Sequence, residues 1–120
     1  MLPSCLKLVA EARKSVNEVS WEELSAEDPA AYYLVDVREP HEFAEKNVPH
    51  AFNVPRGLLE FSIHNHPELR HLKTDELLKS RFYLLCGTGG RSALAAVSME
   101  ALGFEQVYSV AGGLNSLPDP

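Results

Sequence analysis

The chain has 120 residues, 45% hydrophobic and 23% charged, with a formal net charge of −6. That length suits a single core, and the mix excludes disordered and collagen-like classes. The acidic balance, with no Lys/Arg cluster, argues against nonspecific nucleic-acid binding, and no apolar run approaches the length that crosses a bilayer.

The opening "MLPSC" lacks the basic and apolar segments of a secretory leader, so a cytoplasmic protein is expected. Leu6, Val9, Ala12 and Val16 repeat at helical spacing and predict a helix over 4–18, an N-terminal extension (1–18) of a single domain spanning 1–120. Ser20 and Glu23 have the spacing of a capping box opening a short helix that Asp28-Pro29 ends. "YYLVDV" (32–37) is a compact apolar run of the kind buried on both faces of a parallel sheet. Pro40 suits the first turn of a short helix in "REPHEFAEK". "HAFNVP" (50–55) reads as a short strand closed by proline, "RGLLEFSI" as helical, and 64–71 as loop. Thr74 is placed to cap a helix running to about Ser80. "RFYLLC" is the next strand. Residues 92–102 predict a helix with Leu94, Val97, Ala101 and Leu102 on one side and Gly103 after its last turn. "QVYSV" (106–110) is a last strand. Strands alternating with helices argue for α/β architecture with a largely parallel sheet.

Chemistry concentrates in "FYLLCGTGGRSA". Cys86 closes an apolar strand, and the residues after it, Gly87, Thr88, Gly89, Gly90, Arg91 and Ser92, lead into a helix. In open α/β sheets ligands collect at the carboxyl ends of strands. A glycine-rich turn there can aim successive N–H groups inward as an anion-binding nest, reinforced by the helix N-terminus. Helix N-termini and neighbouring positive charge favour the thiolate, so the loop is expected to ionise Cys86 and hold an anionic group on it. Taken alone, the loop also admits an inert core cysteine before a tight turn, since free cysteines are among the most buried residue types.

Cys5 and Cys86 are far apart in sequence and form no CxxC pair, so neither a disulfide in a reducing compartment nor a zinc site is expected. Cys5 reads as a small helix residue, its alternative role being to resolve an oxidised Cys86. His64, His66 and His71 lack acidic or thiol partners at ligand spacing and read as a solvated loop rather than a metal site.

"CGTGGRS" resembles the active-site loop of single-domain rhodaneses (thiosulfate sulfurtransferases). "YYLVDVREPHEF", "NVPHAFNVP" and "MEALGFEQVYSVAGGL" resemble three further family segments in the family's order, and the resemblance runs from Val19 to Leu117. It implies a three-layer α/β/α fold with a central, mainly parallel sheet of about five strands, and no cofactor. It also implies that Cys86 attacks the outer sulfur of thiosulfate, releases sulfite and retains a persulfide. That sulfur then passes to cyanide, a thiol or a partner protein. The amides of residues 87–92 would stabilise the anion, with Thr88 and Ser92 as candidate hydroxyl donors. Arg91 would pair with Glu42, the family's usual arrangement, or else contact the substrate. Asp36 and Arg38 would fix neighbouring loops by ion pairs.

The alternatives are a persulfide carrier with little turnover, or a phosphatase or arsenate reductase on the same fold. The latter enzymes use Cys-x5-Arg, a loop one residue longer than Cys86 to Arg91 here, and Leu85 stands where phosphatases often have His. Three departures from the family pattern stand out. His50 replaces a glycine, which alters the approach to the third strand. Leu117 replaces a tryptophan, which is expected to open the wall beside the pocket. Thr88 sits where side chains tune donor preference.

Overall fold

Strands β2 (Tyr33–Asp36) and β4 (Arg81–Leu85) are built almost wholly of large apolar side chains and occupy the middle of a five-stranded sheet. The computed structural model describes residues 1–118. Strand order is β1-β5-β4-β2-β3, with β1 (Asn17–Val19), β3 (Ala51–Asn53) and β5 (Gln106–Val110) completing it, and every pairing is parallel. Parallel strands need covering on both faces. Alternation along β4 supplies this: Phe82, Leu84 and Cys86 join one apolar cluster, Tyr83 and Leu85 the other. The first cluster is covered by α1 (Pro3–Ser15), α4 (Leu59–Ser62), α5 (Thr74–Lys79) and α6 (Gly90–Ala101). The second is covered by α2 (Trp21–Ser25) and the turn Gly113–Ser116. The architecture is a three-layer α/β/α sandwich. Fully buried aliphatics such as Leu59, Leu69 and Leu84 each contribute about 2 kcal/mol. Among the described residues, no helix is long and apolar enough to cross a membrane.

Local signals place the elements. Ser20 accepts the Glu23 amide and Glu23 returns a bond to the Ser20 amide, both 3.1 Å, which closes the cap of α2. Pro40 opens α3 (Pro40–Glu45). Gly103, at φ +100°, ends α6 with its amide on the Glu100 carbonyl.

Three sequence expectations are corrected. The first helix stops at Ser15, and residues 17–19 form the edge strand β1 instead of continuing it. Helix α6 starts at Gly90 and buries Ser92, Ala93, Ala95, Ala96 and Met99, whereas Val97, Ala101 and Leu102 are exposed. Small side chains let this helix lie close to the sheet. Lys73, not Thr74, is the residue before α5, and the Glu76 carboxylate accepts its amide at 3.0 Å. His50 holds φ +70°, a left-handed backbone that glycine adopts freely and that costs other residues about 1 kcal/mol.

Candidate active site

Leu85 is the last strand residue of β4, so Cys86 leaves the sheet at its carboxyl edge with its side chain on the α6 face. Gly89 takes φ +98° and turns the chain into α6; a Cβ there would stand 3.0 Å from the Gly112 amide nitrogen. The turn folds back over the sulfur. The Gly89 amide donates to Cys86 Sγ at 3.1 Å and the Ser92 amide, in the first turn of α6, at 3.4 Å. Two N–H dipoles and a helix N-terminus therefore converge on the sulfur, an arrangement that favours negative charge there. The Cys86 thiol in turn donates to the Ser92 hydroxyl oxygen at 3.5 Å. Gly87 and Gly90 complete the loop. A Cβ on Gly90 would stand 3.5 Å from Val9 of α1, which packs on this end of the helix. Thr88, at the tip, is exposed, whereas Cys86 is fully buried.

The loop's carbonyls are drawn the other way. Leu114 donates its amide to the Cys86 carbonyl at 2.8 Å and Asn115 to that of Gly87 at 2.9 Å. Trp21 fixes this turn in place, its indole N–H reaching the Gly113 carbonyl at 2.8 Å. A Cβ on Gly113 would overlap the Cys86 carbonyl oxygen, and Gly113 also holds φ +57°. Gly113→Ala is therefore expected to cost about 2–3 kcal/mol, seen as a lower urea midpoint with an unchanged slope. An unchanged midpoint would show that the contact between turn and loop is dispensable.

Arg91 grips Glu42 of α3 through two bonds, 2.7 and 3.1 Å. This bond, helped by the Glu39 amide, holds the Glu42 carboxyl at about 2, below its ordinary 4.5. A carboxyl depressed on folding stabilises fully above its unfolded value and loses that contribution as pH falls through its folded value. Arg91 is 42% exposed, so solvent screening holds the pair to about 1 kcal/mol or less. Urea unfolding should show Glu42→Gln less stable than wild type at pH above about 5, with the gap closing as pH falls from 4.5 towards 2. A gap independent of pH would refute this.

At the end of β2, Asp36 is fully buried and accepts the Arg38 amide at 2.9 Å and its guanidinium at 2.8–3.1 Å. Arg38 also reaches the Lys46 carbonyl, and the Asn53 side chain donates to the carbonyls of Asp36 and Arg38 at 2.9 Å each. This network ties the segment after β2 to β3, beside the cysteine loop.

Cys86, Gly87, Gly89, Gly90 and Ser92 thus share one cradle; Arg91 and Glu42 form its rim, and Asp36 and Arg38 support the adjacent strand end. Cys5 is a half-buried free thiol on α1. His66 packs on Phe52 with ring centroids 4.4 Å apart, and burial lowers its pKa, while His64 and His71 are exposed. Leu117 lines a cavity of about 220 Å³ with Trp21, Val48 and Pro49. The gap near the family tryptophan position thus opens beside α2 rather than at the sulfur. Another cavity, about 570 Å³, lies among Tyr33, His50, Phe52, Glu68 and Arg81 at the amino ends of β2 and β4 and does not include Cys86. Sequence reasoning did not single out Trp21, Ser109 or the Leu114 and Asn115 amides. Only the Gly-Gly pair at 112–113 hinted at the turn that carries two of them.

A thiol at the carboxyl edge of a central parallel strand, wrapped by a glycine turn that opens a helix, defines an α/β domain with a cysteine-loop site. The chain belongs to the rhodanese-like domain family, whose model matches residues 17–117. It is 31% identical over 111 residues to the adenylyltransferase and sulfurtransferase uba4 of Ogataea parapolymorpha, covering 92% of this chain and 25% of that protein. The human single-domain sulfurtransferase TSTD1 has a similar structure, with 27% identity, a TM-score of 0.70, and coverage of 84% of this chain and 94% of that one. So does a Rhodopseudomonas palustris protein of unknown function described as a possible tyrosine phosphatase (26% identity, TM-score 0.73, 97% and 89% coverage). The chain spans 25% and 52% of the lengths of two curated relatives it matches.

Proposed function

We propose that this chain is a sulfurtransferase that carries sulfane sulfur as a persulfide on Cys86. The observation that carries the reading is the pair of amides, from Gly89 and Ser92, directed at Sγ at the start of α6. In the first step the Cys86 thiolate attacks the outer sulfur of thiosulfate or a similar anion. The S–S bond of the donor breaks, sulfite leaves with its electron pair, and Cys86 keeps an anionic persulfide. In the second step a thiol, cyanide or a protein acceptor attacks the outer persulfide sulfur and regenerates the thiolate. The same amides, directed at Sγ, hold the charge of the thiolate that attacks and is regenerated. Because Cys86 is fully buried, the donor enters past Thr88, the exposed residue of the loop.

Two features favour sulfur over a phosphoryl group. The loop from Cys86 to Arg91 is one residue shorter than the phosphatase pattern, and the Arg91 guanidinium is engaged with Glu42. The test is a donor screen read by mass, expecting a gain of about 32 Da on Cys86, together with a thiosulfate:cyanide assay. Persulfide that persists until a partner protein is added would favour a carrier with little turnover. Cys86-dependent hydrolysis of an aryl phosphate, without persulfide, would overturn the sulfur reading.

A further inference from the structure

Strand β5 brings a second hydroxyl beneath the thiol. Ser109 stands opposite Leu84 in the sheet and is fully buried, and its Oγ lies 2.8 Å from Ser92 Oγ. Ser92 Oγ in turn lies 3.5 Å from Cys86 Sγ and 3.3 Å from the Gly89 carbonyl oxygen. A serine hydroxyl has one proton and two lone pairs, so the charge on the sulfur decides how this chain is ordered. When Cys86 is a thiol, its S–H can donate to Ser92, whose own proton then turns to Ser109 or to the Gly89 carbonyl. When the sulfur is an anion it offers no proton and becomes an acceptor for the Ser92 hydroxyl, in competition with the Gly89 carbonyl. Of the groups around Ser92 Oγ, Ser109 is then the one that can supply a proton in return. The Gly89 carbonyl is not orphaned by the switch, because it still accepts the Ala93 amide at 3.2 Å.

We propose that Ser109 is a positioning residue for Cys86: its hydroxyl donates to Ser92 and so keeps the Ser92 proton on the ionised sulfur. The thiol proton leaves to water; the two serines retain theirs and only rotate. Each donation polarises the next, which strengthens the bond that ends on the anion. The charged groups around the thiol are Arg91, beside Ser92 on α6 and paired with Glu42 of α3, and Asp36 paired with Arg38. The Gly113–Ser116 turn and Val9 contribute uncharged contacts. Ser109 is thus a neutral device beneath a site whose ion pairs are already closed on themselves.

The inference rests on reading Cys86 as an ionised nucleophile. Its test is alkylation of Cys86 by iodoacetamide, followed by peptide mass in the full chain carrying Cys5→Ser, across pH from about 6 to about 10. Ser109→Ala is expected to slow the reaction about five-fold near pH 6–7, within the size of one charge-assisted hydrogen bond. On the alkaline plateau of the profile the two rates should converge. Ser109→Thr should restore the wild-type profile, and in a Ser92→Ala background Ser109→Ala should add nothing. Equal rates at every pH, uniform slowing at every pH, or an effect that survives without Ser92 would each overturn the proposal. Alkylation needs no sulfur donor, so a donor screen that yields no persulfide counts against sulfur transfer alone.

Discussion

Cys86→Ser is expected to lower sulfur transfer by at least about a thousand-fold while leaving the fold intact. A serine hydroxyl stays protonated at neutral pH and forms no persulfide, so the amides of Gly89 and Ser92 would point at a neutral oxygen. Stability should change by only about 1 kcal/mol, because the smaller oxygen sits in the same fully buried space. The thiosulfate:cyanide rate and the mass gain on residue 86 are measured together, with a urea titration to confirm folding. A folded Cys86→Ser protein retaining more than about a hundredth of the wild-type rate would remove the covalent route altogether.

The second large effect falls on stability. Asp36→Ala should destabilise the protein by about 3–5 kcal/mol, because it leaves the Arg38 guanidinium, 8% exposed, with no countercharge. The Arg38 amide loses its acceptor as well, whereas the Asn53 bonds, made to backbone carbonyls, remain. The double variant Asp36→Leu/Arg38→Met removes both charges together and should cost clearly less than the single change. Urea unfolding of Asp36→Leu, Arg38→Met and the double closes the cycle. Additive losses would mean that the pair is not coupled, and the proposed role of Asp36 would fall.

Much of this layout can be read from local pattern. The apolar runs of β2, β4 and β5, the Ser20–Glu23 cap and the glycines around Cys86 each state their role within a few residues. What escaped is tertiary in origin. Asn17-Glu18-Val19 has no strand period of its own and becomes β1 because β5 offers it a free edge. The buried face of α6 is alanine-rich, so a search for large apolar side chains found Leu94, which packs on the core, together with Val97 and Leu102, which are exposed. Trp21 reads as ordinary packing until the Gly113 carbonyl is seen above it. Ser109 is a polar residue in a core strand, and its partner Ser92 is defined only once β4 and β5 are in register.

The place of β1 also bears on how the chain is made. Asn17 lies opposite Tyr108 and Val19 opposite Val110, so the edge formed by residues 17–19 is completed only by residues 108–110. At roughly 5–20 residues per second of synthesis, the segment waits on the order of 5–20 s on the ribosome for its neighbour. Until residue 110 clears the exit tunnel, β1 can bond only to water. Final closure of the sheet therefore waits for residues 108–110 to emerge.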